Sequence, residues 1–200
     1  LTDEERQLLL CDATCEVWLE KHGQPIGAGR STRTISRRLR RALEHLGIPC
    51  AITADPATLE SAEGVIFPGV GAAGQAMGAL AESGMDEALR QVVRRGQPLL
   101  GICLGCQILL QRSEENDTTT LGIVPGLCRR FDDNMVEEDG TPAPIPHMGW
   151  NDLVIDRPHP LLEGIATGDH AYFVHSYHFQ VADPADRIAH VDYAGPITAI

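Results

Sequence analysis

Gly101-Ile102-Cys103-Leu104-Gly105 constrains this chain more than any other stretch. Pro98 to Ile102 reads as a short buried strand, and Leu104 to Gln111, continuing through Ile108-Leu109-Leu110, reads as a helix. A cysteine therefore stands where a strand turns sharply into a helix. Glycines two residues before and two after it permit the strained backbone of a nucleophile elbow. The helix N-terminus then directs free N–H groups and the positive end of its dipole at the sulfur, which favours thiolate over thiol. An isolated cysteine between two glycines reads as a buried structural residue. The flanking strand and helix favour a nucleophile at Cys103.

With 200 residues, 43% of them hydrophobic and 22% charged, the chain has the composition of one soluble globular domain with a sizeable core. A formal charge of −12 argues against non-specific nucleic-acid binding. The run Arg37-Arg38-Leu39-Arg40-Arg41 reads as the solvated face of an amphipathic helix rather than a phosphate-binding patch. No signal peptide or membrane span is expected. Cys11, Cys15, Cys50, Cys103, Cys106 and Cys128 follow no disulfide framework, which points to a reducing, cytoplasmic compartment. Cys103-x-x-Cys106 is a candidate redox pair, and Cys11, Cys15 and His22 are three loosely spaced candidate metal ligands. Both readings rank below the nucleophile, and no metal or other cofactor is expected.

Strand and helix signals alternate through the first half. A basic helix is expected from Thr34 to Leu46, capped by Gly47. Cys50 to Thr53 and Gly64 to Phe67 read as strands, and Ala76 to Arg95 as helix interrupted near Gly84. This alternation predicts an α/β fold with a mostly parallel sheet flanked by helices. After Leu121 a smaller antiparallel section is expected, with strands near Leu127 to Phe131, Leu153 to Ile155, Ala171 to Phe179 and Arg187 to Asp192. Asp132 to Pro146 reads as an exposed acidic loop. Gly27-Ala28-Gly29 reads as a plain turn rather than a phosphate cradle.

Five segments resemble, in this order, a known family: Phe67-Pro68-Gly69-Val70-Gly71, Gly101 to Gln107, Pro146 to Asn151, His159-Pro160-Leu161-Leu162 and Tyr172 to Tyr177. The family is the class I (triad) glutamine amidotransferases, and more narrowly the glutaminase subunits of imidazole glycerol phosphate synthases of histidine biosynthesis. The resemblance covers residues 27–200 as the amidotransferase domain and leaves 1–26 as a divergent N-terminal segment. It implies that Cys103 attacks the glutamine side-chain amide, releasing ammonia and leaving a glutamyl thioester for water to hydrolyse. It implies oxyanion and substrate binding by Gly69, Val70, Gly71, Leu104, Gln107, Ser176 and Tyr177. Glycines suit that role because backbone N–H groups can approach a developing oxyanion closely. It implies that Trp150, Asn151 and Tyr172 face a (β/α)₈-barrel cyclase subunit in a heterodimer. Ammonia then passes through that barrel to a bound ribonucleotide, yielding imidazole glycerol phosphate and an aminoimidazole carboxamide ribonucleotide.

Three departures accompany the resemblance. The family carries its histidine base and orienting glutamate in a Phe-His-Pro-Glu-Lys-Ser-like segment, and Gly195 to Ile200 ends this sequence before such a segment. His175 and His178 lie on the substrate-side strand and are not assigned as base. An opening strand with an Asp-Tyr-Gly-x-Gly-Asn-like turn is replaced by Gly27-Ala28-Gly29-Arg30. Cys106 stands where methionine is more usual. The 200-residue chain is accordingly expected to be inactive in glutamine hydrolysis. It reads as a fragment of a glutaminase, as a non-catalytic binding relative or, in a different class, as a redox or metal protein using Cys103 and Cys106.

Overall fold

The computed structural model describes residues 45–48, 50–137 and 139–200, together with the short antiparallel pair β1 (Glu20–Lys21) and β2 (Gln24–Pro25). The expected basic helix up to residue 44, the glycine turn at 27–29 and the possible metal ligands at 11, 15 and 22 lie outside the described residues.

The first layer is α/β. A one-turn helix α1 (Pro56–Leu59), capped by the Asp55 carboxylate, precedes strand β3 (Val65–Gly69). Helices α2 (Ala73–Ser83) and α3 (Met85–Arg94) are separated by Gly84, whose φ of +73° places it in the left-handed region that suits glycine. The Glu115 carboxylate accepts a 2.7 Å hydrogen bond from the Ala73 amide and so satisfies a free donor at the start of α2. In α3 the period is helical: Met85, Leu89 and Val92 are buried, while Asp86 and Arg90 pair at 2.8 Å on the outer side. Strand β4 (Leu99–Cys103) runs parallel to β3 and leads into α4 (Leu104–Gln107). Leu59, Val65, Phe67, Leu89, Leu104 and Ile108 belong to one buried cluster that packs these helices on the β3–β4 pair.

The second layer is larger than the sequence predicts. Strands β5 (Arg112–Ser113), β6 (Thr118–Thr119), β7 (Gly126–Arg130), β9 (Val154–Ile155), β11 (Tyr177–Val181), β12 (Ala189–Asp192) and β13 (Pro196–Thr198) form one sheet in the order β6-β5-β7-β11-β13-β12-β9. Only β5 and β7 are parallel within it. Among the described residues, β3 and β4 make the one separate parallel pair, so the α/β class holds but the antiparallel section outweighs it. A second buried cluster, including Phe131, Leu153, Val191, Tyr193 and Ile197, underlies this layer.

Strands β8 (His147–Asp152) and β10 (His170–His175) form a separate antiparallel pair. The expected single strand from Ala171 to Phe179 is therefore two. The chain leaves β8 at His175, turns at Ser176 and pairs with β7 from Tyr177 onward. The Cys50–Thr53 segment contains bridge residues only at Ala51 and Thr53 rather than a strand. The 132–146 loop is not wholly exposed, because Ala143 packs into the second cluster. No helix among the described residues is long and apolar enough to cross a membrane.

Candidate active site at the β4–α4 elbow

Cys103 is the last residue of β4 and the cap of α4, with φ +55° and ψ −124°. A non-glycine residue in that region is strained and persists only when its surroundings hold it there. The neighbours explain how. A Cβ on Gly105 would overlap the Phe67 carbonyl, and one on Gly101 would lie 2.7 Å from the Cys106 Cα. Both positions need glycine because two backbone segments cross there without room for a side chain. The turn is thus held against β3, and Gly69 is in direct register with Cys103 across the parallel pair. A Cβ on Gly69 would lie 3.2 Å from the Gly105 nitrogen, so the end of β3 abuts the start of α4. Val70 is exposed beyond it, and Gly71 has φ +99°. Gly69, Val70, Gly71, Cys103 and Leu104 are therefore gathered at one edge.

The electrostatics differ from the sequence expectation. The Cys103 residue is exposed, but its sulfur has packed surroundings, and their desolvation pushes the thiol up. The Leu104 N–H opposes this by hydrogen bonding to the sulfur. The expected helix Leu104–Gln111 is a single turn ending at Gln107, so it has little aligned dipole to lower the thiol. Among the described residues, no histidine or other cation acts on the Cys103 sulfur. Cys106 is pushed up to about 12 by burial, then by Cys128 and Cys103. A thiol so reluctant to ionise is poorly suited to exchange, which weighs against the Cys103–Cys106 redox pair.

Gln107 faces the second layer. Its Nε2 donates to the Tyr177 carbonyl at 3.3 Å, which ties the far end of α4 to the start of β11. Ser176 occupies the corner before β11, and its carbonyl accepts from the Phe131 amide at 3.1 Å. Gln107, Ser176 and Tyr177 are thus drawn to the same side of the elbow, although 69 and more residues separate them in sequence. His175 and His178 are turned toward Phe131, with ring centroids 5.2 Å and 4.9 Å from it.

The outer face of the β8–β10 pair presents Met148, Trp150, Tyr172 and Val174. Trp150 and Tyr172 are cross-strand partners whose rings meet edge to face at 5.4 Å. Trp150 is 50% exposed and Tyr172 42% exposed, so neither belongs to the core. Asn151 has the opposite face of β8, where its Nδ2 donates to the Asp192 carbonyl at 2.8 Å. Met148 and Val174 were not among the residues picked out in the sequence. Period-two alternation through His147 to Asp152 and His170 to His175 carries that signal. Among the described residues, no three His, Cys, Asp or Glu side chains converge as metal ligands.

Residues 31–200 match the family model for class-I glutamine amidotransferase, and residues 1–46 match a model described as a domain of unknown function, DUF222. Imidazole glycerol phosphate synthase subunit HisH of Desulfovibrio desulfuricans is 68% identical over 155 residues, covering 78% of this chain and 71% of that protein. The HisH of Nitratidesulfovibrio vulgaris strain Miyazaki F is 62% identical, over 70% of this chain and 66% of its own length. That of Geobacillus kaustophilus is 45% identical, over 80% and 75%. Among solved structures, a crystal structure of a glutamine amidotransferase superposes with a TM-score of 0.57 at 21% identity, covering 77% of this chain and 74% of that one. That last likeness concerns the fold alone.

Proposed function

The chain belongs to the class-I glutamine amidotransferase family, and from that membership we propose that it acts as the glutaminase subunit of an imidazole glycerol phosphate synthase. The observation that carries the reading is the Cys103 elbow, strained, glycine-flanked and paired in register with Gly69.

In the proposed reaction the Cys103 sulfur attacks the side-chain carbonyl carbon of glutamine. The C–N bond breaks, the thiol proton passes to the leaving nitrogen so that it departs as ammonia, and a glutamyl thioester remains for water to cleave to glutamate. The amides of the Gly69-Val70-Gly71 turn and of Leu104 are assigned to the developing oxyanion. Gln107, Ser176 and Tyr177 are assigned to the substrate. The exposed Trp150 and Tyr172 are assigned to docking on a (β/α)₈-barrel cyclase that receives the ammonia, while Asn151, on the opposite face of β8, is assigned to bracing the hairpin through the Asp192 carbonyl rather than to the docking face. Residues 27–200 form the amidotransferase domain in this reading, with 1–26 as a separate segment. The cytoplasm is the proposed location.

Thiolate formation needs a base. Since no histidine among the described residues acts on Cys103, this 200-residue chain is expected to turn over glutamine at least about 10²-fold more slowly than a subunit with a positioned acid/base. The same observation favours a second reading, a binding subunit without turnover. The test is mass spectrometry of the chain after reaction with an electrophilic glutamine analogue, alongside ammonia release with the cyclase present. An adduct on Cys103, suppressed by excess glutamine, is expected. Absence of that adduct overturns the glutaminase site, and ammonia release at the rate of a fully equipped subunit overturns the expected deficit. Cyclase binding with no adduct establishes the binding-only alternative.

A further inference from the structure

A buried histidine, His147, and a half-buried one, His175, lie on the inner side of the β8–β10 hairpin. His147 on β8 and His175 on β10 are cross-strand partners, and His147 Nδ1 lies 3.0 Å from His175 Nε2. His175 Nδ1 lies 2.8 Å from the Tyr177 carbonyl oxygen. That same oxygen accepts the Gln107 Nε2 hydrogen bond. A carbonyl only accepts, so His175 Nδ1 carries a proton and donates it. In neutral His175 the Nε2 is then an acceptor, and His147 Nδ1 must donate to it. The protons thus have a single arrangement, running from β8 through β10 to the carbonyl that holds Gln107.

The rings have little freedom to break this arrangement. His147 is 3% exposed and is stacked between Phe173, at 4.9 Å and 14°, and Tyr193, at 3.9 Å and 21°. His175 packs on Phe131. Strand alternation sets His147 opposite in direction to Met148 and Trp150, so one strand carries the relay on its inner side and the exposed apolar residues on its outer side.

We propose that His147 and His175 are positioning residues of the glutamine site, a hydrogen-bonded relay that fixes the Tyr177 carbonyl and, through it, Gln107 relative to the β8–β10 hairpin. The proposal rests on the glutaminase reading for its substrate, but its geometry is independent of turnover. Without the His147 donor, His175 loses its second anchor. The carbonyl shared with Gln107 is then free to shift, and the substrate side of the site loosens while the elbow itself, held by Gly101 and Gly105, stays.

The test uses the full chain and its His147→Leu and His147→Asn variants. Two rates at Cys103 are measured: saturable alkylation by an electrophilic glutamine analogue, and alkylation by iodoacetamide, which needs no glutamine pocket. The side-chain amide resonance of Gln107, assigned by its loss in Gln107→Glu, is followed in parallel. His147→Leu is expected to raise the half-saturating analogue concentration at least about fivefold, as loss of a part-buried hydrogen bond would, and to shift the Gln107 amide. Iodoacetamide reactivity stays unchanged. The Asn amide reaches the place of Nδ1 and restores the parent's values. A folded His147→Leu chain with unchanged half-saturation and an unmoved Gln107 amide overturns the relay. If the parent reacts without saturation, the glutaminase reading fails and the amide resonance alone decides the relay. If His147→Leu does not fold, His147→Gln replaces it. Its amide reaches the place of Nε2 instead, so equal behaviour of the Asn and Gln variants overturns the proposal.

Discussion

Gly105 is packed so tightly under the Phe67 carbonyl that a side chain at position 105 would overlap the backbone of β3. Cys103, two residues earlier, owes its strained conformation to that crossing. The geometry of Cys103 is therefore a property of two strands, not of the elbow alone.

Gly105→Ala is expected to cost about 3 kcal/mol or more, because backbone cannot yield as a flexible side chain would. Gly78→Ala is the matched control. Gly78 lies inside α2 with nothing within 4 Å of its added Cβ, and the change should stabilise by about 0.5–1 kcal/mol. Thermal melts of both variants check the pair. Equal effects would show that the crossing is not tight.

Stability should fall as pH drops from about 6.5 toward 4. Burial, then the neighbouring His175, pushes His147 down to about 4. His175 is pushed in the same direction, chiefly by burial, and the remaining titratable group against His147 is Tyr193. An unfolded histidine takes up its proton near 6.5. Between those values the unfolded chain binds more protons, so stability is full above that window and is lost as pH falls through it. For His147 the loss reaches about 3 kcal/mol. Denaturant titrations at pH 7 and pH 4.5 measure it. His147→Leu should flatten the dependence, and an unaltered slope in that variant would assign it elsewhere.

Thiol chemistry should separate by position. Cys106 and Cys128 are both pushed up to about 12, chiefly by burial, leaving about one molecule in ten thousand as thiolate at pH 8. Cys103 is pushed up too, by desolvation, but it is the exposed one of the three. Site-resolved alkylation of the folded chain at pH 8 should mark Cys103 well before either of the others. Loss of glutamine-analogue labelling in Cys103→Ala but not in Cys106→Ala is expected. Equal dependence on both cysteines would restore the paired-thiol reading.

Trp150→Ala should change the stability of the chain alone by less than about 1 kcal/mol, since half of the side chain is in solvent. Its association with the cyclase should weaken at least about tenfold, as expected for an aromatic anchor. Calorimetric titration of parent and variant checks this. Unchanged affinity in a folded variant would remove Trp150 from the docking face.

Local signals located the elements that interact over short range. Gly84 divides one expected helix into two because a positive φ breaks the helical path. Val65 to Phe67 and Leu99 to Ile102 are apolar enough to be buried strands at any position in a domain. The extent of α4 was not legible. Ile108, Leu109 and Leu110 are apolar for either a helix or a packed turn, and Leu121, Gly122 and Ile123 decide the matter by donating backbone hydrogen bonds to residues 108 to 110. The break at Ser176 was hidden for the same reason. Residues 171–179 alternate as one strand, but their partners change from β8 to β7.

By itself the sequence determined the strand-to-helix turn at Cys103, the two glycines it requires and the family to which the five segments point. These depend on residue type and spacing within a few positions. Tertiary structure alone decided the direction in which the Cys103 thiol is pushed, through the packed surroundings that desolvate its sulfur and the brevity of α4. It also decided that Gln107 meets Tyr177, that His147 meets His175, and that Trp150 stands in solvent while Asn151 turns away. Desolvation and hydrogen bonding act between groups close in space, and 28 to 70 residues of chain separate the members of those two bonded pairs.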